Sequence, residues 1–138
     1  MHNSDFQKLA SIRLKEAQVL FREQQYAGAY YMAGYVVECG LKACIAAQTR
    51  AGEFPPKPDI VRGYYQHDLN GLVKAAGLEN QLKLQLKSST GFGKKWNIVE
   101  DWTEQTRYET KIDFSKAEKL LLAVSDHDGV LQWLKMFW

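Results

Sequence analysis

The chain is poor in the residues that build covalent or metal-bound frameworks. Only two of its 138 residues are cysteines, Cys39 and Cys44. On one helix, five residues turn them about 140° apart, so they cannot bridge. No cysteine spacing of the zinc type occurs. On an apolar helix burial raises a thiol's pKa, so both read as inert packing and not as nucleophiles. Three histidines are also few. Asp126, His127 and Asp128 make the one metal-like run, without a second histidine or a distant carboxylate cluster beside it. No metal and no cofactor are expected. Free thiols and the lack of a leader sequence lead to an expectation of the reducing cytoplasm.

Proline is confined to Pro55, Pro56 and Pro58. Residues 50–66 are therefore a long non-helical connection, of the kind that serves as a lid or binding loop. Charge of one sign is lacking too: 18 basic against 16 acidic side chains leave +2. That excludes nucleic-acid binding by bulk charge and leaves room only for a local basic pocket. The longest apolar stretch, residues 27–47, carries Glu38 and Lys42. Each would cost roughly 2.5–3.5 kcal/mol in a bilayer, and Gly28, Gly34 and Gly40 dilute the hydrophobicity, so a membrane span is rejected.

What is present is helical periodicity. Phe6, Ala10, Leu14, Ala17 and Phe21 recur at three and four, after a capping-box pattern at Ser4 and Gln7. The second segment is apolar nearly all round, as the central helix of a bundle is. Its small residues Ala29, Ala33, Val36, Gly40, Ala43 and Ala47 form a stripe that admits close helix approach. Glu38 precedes Lys42 by four, the favourable order for a helical ion pair. Either that local pair forms, or Glu38 holds a polar partner from another helix or subunit.

"HDLNGLVKAAG" follows the proline segment. Leu69, Leu72, Val73 and Ala76 have helical spacing, Asp68 suits the helix start and Gly77 its left-handed stop. Leu78, Leu82 and Leu86 mark a short helix, and "SSTGFG" reads as a flexible turn. Trp96, Val99 and Trp102 or Thr103 share a helical face; "TRYETKI" is a connection. Asp113 or Ser115 starts the next helix, which buries Phe114, Ala117, Leu120, Leu121 and Val124. "SDHDG" is a possible break before Val130, Trp133, Leu134 and Phe137. The length fits one domain, residues 1–138. The fold class is all-α, an antiparallel up-and-down helical bundle of about five helices.

"YAGAYYMAGYVVECGLKA", "HDL" with Leu72, then the tryptophan-rich helix with "RYE", resembles the HEPN family (higher eukaryotes and prokaryotes nucleotide-binding). The likeness runs from Phe6 to the last tryptophan. It implies a bundle of about five helices, a homodimer, and a small nucleotidyltransferase as protein partner. It also implies nucleotide or RNA as ligand. Some members are toxins of toxin-antitoxin pairs that cleave RNA without metal; others lack the cleavage residues and serve as binding or partner modules.

In cleaving members an arginine and a histidine with four to six residues between them lie near the start of the fourth main helix. The histidine moves protons and the arginine steadies the phosphate. Here the late position is "RYETKIDF", and Ile112, Asp113 and Phe114 stand where the histidine would be. Only Arg62 and His67 match the spacing, before the third helix, where His67 belongs to the "HDL" helix start. The candidate catalytic residues are thus His67 as acid/base, with Arg62 or Arg107 to steady the phosphate. The candidate ligand-binding residues are Glu38, Lys42, His67, Asp68, Arg107 and Tyr108. Arg107 either clamps a phosphate near His67 and Lys42, or pairs with an acid such as Glu38 or Glu104. Lys94 and Lys95 beside Trp96 form either a basic-aromatic binding spot or a solvated helix start. The expected function is a non-catalytic nucleotide/RNA-binding or partner module. The alternative is a metal-independent endoribonuclease with a displaced Arg/His pair.

Overall fold

A computed structural model of the chain describes residues 2–48 and 65–138. Its first two helices are α1, Asn3–Arg22, and α2, Tyr26–Gln48. After the proline segment come α3, Leu69–Ala75, α4, Glu79–Ser88, and α5, Thr90–Glu100. A 3-10 turn, Glu104–Tyr108, leads to α6, Phe114–Ser125, and α7, Val130–Leu134. The described residues contain no strand, and the molecule is all-α as its periodicity requires.

Helix α1 starts two residues earlier than the Ser4 pattern predicts. The backbone N–H of His2 donates to Asp5 Oδ2 at 2.9 Å, so Asp5 and not Gln7 closes the first turn. Phe6, Ala10 and Ala17 are buried along the side facing α2. The helix ends where Gln24 takes a φ of 62°, a left-handed conformation that reverses the chain.

Helix α2 is the hub, packed by α1, α3, α6, α7 and the 3-10 turn. Its small residues Ala29, Ala33, Val36, Gly40 and Ala43 are buried within this one chain, and only Ala47 is exposed. A Cβ on Gly40 would meet Leu134 Cδ1 of α7 at 3.0 Å. The stripe that would suit a second copy is therefore occupied by the chain's own helices. Among the described residues, no helix is long and apolar enough to cross a membrane.

One segment and one side chain depart from the sequence reading. "SSTGFG" is not a flexible turn: α5 runs from Thr90, and Ser89 Oγ caps it by accepting the N–H of Phe92 at 3.1 Å. Burial of Phe92 against Trp133, ring centroids 5.5 Å apart, outweighs the helix cost of Gly91 and Gly93. Of the two starts open to α6, Asp113 is the one that caps it: its Oδ1 accepts the N–H of Lys116 at 2.8 Å, and Ser115 lies inside the helix. Phe114 is half exposed and joins Phe21 and Tyr26 in an edge cluster instead of the core. The predicted break at "SDHDG" is real, with Gly129 before α7. Gly77 has its predicted left-handed conformation, φ 70°.

Candidate functional site

Glu38 is the one buried charged side chain among the described residues, 1% exposed in the middle of α2. An isolated carboxylate there would be costly, so its partner decides what the region does. That partner is not Lys42. No ion pair joins the two, although the Lys42 charge helps to hold the Glu38 carboxyl down. Glu38 Oε1 lies 2.6 Å from Nδ1 of His67, the residue before the Asp68 cap of α3. Of the two partners open to Glu38, the one from another segment is found. Burial pushes the Glu38 carboxyl up, and the His67 hydrogen bond pulls it part of the way back.

The other ring nitrogen of His67, Nε2, faces Glu104 Oε2 at 3.4 Å. One imidazole thus joins α2, the start of α3 and the 3-10 turn. Local structure fixes each arm. Asp68 Oδ2 accepts the N–H of Gly71 at 3.1 Å, which sets the α3 start and with it the approach of His67. The 3-10 turn follows Trp102, whose indole lies on α2 at Gly34. A Cβ on Gly34 would come within 2.2–2.3 Å of three indole carbons. Tyr31 stacks on the same indole, centroids 6.0 Å apart, and Tyr35 on Tyr31 at 6.1 Å. Tyr35 is pushed up to about 12 by burial first, then by Cys39 and Glu38, so it stays a neutral donor.

Beside the imidazole is an open cleft of about 290 Å³, lined by Gln66, His67, Asp68, Trp102, Thr103, Glu104 and Gln105. It offers carboxylate, amide and hydroxyl groups above the buried Trp102. Two carboxylates at the mouth disfavour a phosphate inside it.

The remaining candidates scatter. Arg62 lies outside the described residues. Arg107 is exposed, pairs with neither Glu38 nor Glu104, and sets its guanidinium 5.0 Å from the ring centroid of Tyr108. It nonetheless shares the 3-10 turn with Glu104. Tyr108 is exposed as well. Lys95 forms ion pairs with Asp126 and Asp128, and Trp96 is buried, so the basic-aromatic spot is not formed. The sequence reading missed Glu104 as a partner of His67, and Gln66, Trp102, Thr103 and Gln105 as cleft walls. Gln66 is the neighbour of His67 in the chain, but no local spacing signals the others, which lie 35 to 38 residues beyond it.

The model of the HEPN domain family matches residues 4–136, nearly the whole chain. The chain belongs to the HEPN domain family. No curated protein and no solved structure matches it.

Proposed function

We propose that this HEPN domain is a non-cleaving binding module that takes the sugar-and-base part of a nucleotide, or of an RNA strand, into the cleft beside His67. The observation that carries this reading is the position of His67 between two carboxylates. Glu38 engages Nδ1 and Glu104 faces Nε2, so neither nitrogen is turned to a scissile phosphate. Glu104, Gln66, Gln105 and Thr103 suit the hydroxyl and amino groups of a sugar and a base. Arg107, on the same turn but outside the cleft lining, is placed to meet a phosphate in solvent.

A second reading has one observation in its favour. A buried carboxylate on one nitrogen of a histidine is how acid/base histidines are oriented. A metal-independent ribonuclease using His67 with Arg62 or Arg107 would use that feature.

Family membership further supports, as proposals, a homodimer and a small nucleotidyltransferase as partner. Two free thiols fit a cytoplasmic location. Sedimentation showing only monomer at micromolar concentration would contradict the dimer.

The binding reading is tested by titrating the full chain with nucleoside monophosphates and with a short single-stranded RNA, in EDTA. Saturable binding is expected, weakened about three- to tenfold and made less salt-sensitive by Arg107→Ala. No binding at millimolar ligand contradicts it.

A further inference from the structure

His67 has one ring proton when neutral and two when charged, and ionised carboxylates only accept. Both of its contacts are therefore favourable only while the Glu38–His67 pair carries two protons. Whether the second proton rests on Nδ1 or on Glu38 Oε1 does not change this count, because Nε2 still presents N–H to Glu104. With one proton between them, the buried Glu38 keeps it on the Nδ1 side. Nε2 then turns a lone pair toward the Glu104 carboxylate.

The two arms are unequal. The Glu38 side chain is 2% exposed and its contact is short, whereas Glu104 is 32% exposed and its contact, at 3.4 Å, is long. Water can replace His67 at Glu104 but not at Glu38, so the Glu104 arm is the one that yields.

We propose that the Glu38–His67 pair is a proton-operated latch on the cleft. With two protons it holds Glu104, and with it the 3-10 turn, against the start of α3; on losing one it releases Glu104 to the cleft. The consequence for ligands rests on the binding function proposed above. A hydroxyl or amino group of the ligand competes with the protonated imidazole for Glu104, so binding releases a proton and tightens as pH rises.

The other groups around the pair are Tyr35, Cys39 and Lys42 on α2, Asp68 at the start of α3, and Arg107 on the turn with Glu104. Tyr35 and Cys39 are pushed up to about 12 and about 11 by burial. Neither changes charge near neutrality. Lys42 lowers Glu38 and so opposes the retention of the second proton.

The experiment needs no ligand. The side-chain carboxyl of Glu104 and the imidazole of His67 are followed by NMR against pH in the full chain, with amide hydrogen exchange at Thr106 and Glu109. These amides close the 3-10 turn by donating to Thr103 and Thr106. The Glu104 carboxyl is expected to show a second inflection where His67 titrates. Exchange at the two amides, corrected for its intrinsic pH dependence, is expected to rise about two- to fivefold across that inflection, the range of a half-exposed ion pair. Glu104→Gln should remove the step and leave the fold intact. A single carboxylate inflection at Glu104, with no exchange step in the wild type, overturns the latch. Nucleoside monophosphate titration on both sides of the inflection separates the two ideas. No binding at either pH contradicts the function proposed for the cleft, while the latch is decided by the ligand-free data.

Discussion

Nδ1 of His67 lies 2.6 Å from Oε1 of Glu38, a carboxylate that belongs to a helix 29 residues earlier in the chain and is sealed from solvent. The pair ties the hub helix to the start of α3, and through Glu104 to the turn that follows Trp102.

Removing the imidazole exposes the cost of that buried acid. His67→Ala should destabilise the fold by about 1–3 kcal/mol, the penalty for a buried group left without a partner. Glu38→Gln, which keeps a hydrogen bond to a neutral ring, should cost less. Urea unfolding of both variants and of the double mutant gives the coupling between the two side chains.

The same pair sets a pH dependence. The Glu38 carboxyl is raised in the folded state, so the folded chain holds its proton to higher pH than the unfolded chain. This group's contribution is therefore most favourable below its unfolded value and is lost as pH rises through the carboxylate range to the folded value. In His67→Ala the loss should be larger and reach higher pH, because the hydrogen bond that pulls the carboxyl down is gone. Comparing urea midpoints of the two proteins from pH 4 to 7 measures it.

Gly34 carries the wall of the cleft. Gly34→Ala puts a methyl group into the indole of Trp102, which Tyr31 holds from beside it. A loss of about 1–3 kcal/mol or more is expected from such overpacking. Trp102 fluorescence should shift with it, whereas Gly91→Ala, where the nearest atom is 3.9 Å away, should not destabilise.

Both cysteines should behave as interior residues. Burial pushes Cys39 up to about 11 and Cys44 up to about 12, so both are protonated and covered at neutral pH. A thiol reagent should react with neither in the native chain at pH 7.5 and with both in denaturant.

The helices were legible because their signals are local. Phe6, Ala10 and Ala17 face α2 as their spacing requires, and Gly77 stops α3 where a left-handed residue was needed. The errors are competitions between local signals. The cap of α1 moved from Ser4 to His2 because Asp5 accepts the His2 N–H, and of the two starts open to α6 it was Asp113 that caps it. At the site, the visible i to i+4 relation of Glu38 and Lys42 was not the one that formed. The partner came from His67, and the sequence carries no mark of a contact across the proline segment. Glu104 and Trp102 were invisible for the same reason. Their positions depend on an indole lying over Gly34, which is a matter of tertiary packing.

The most direct test of His67 as a held, non-cleaving residue is an RNA cleavage assay. The purified full chain is incubated in large excess with end-labelled structured RNA in EDTA, beside His67→Ala. No cuts above background by either protein is the predicted result. Cuts that leave 2′,3′-cyclic phosphate ends and vanish in His67→Ala would contradict it, and would make this HEPN domain a nuclease with a relocated histidine.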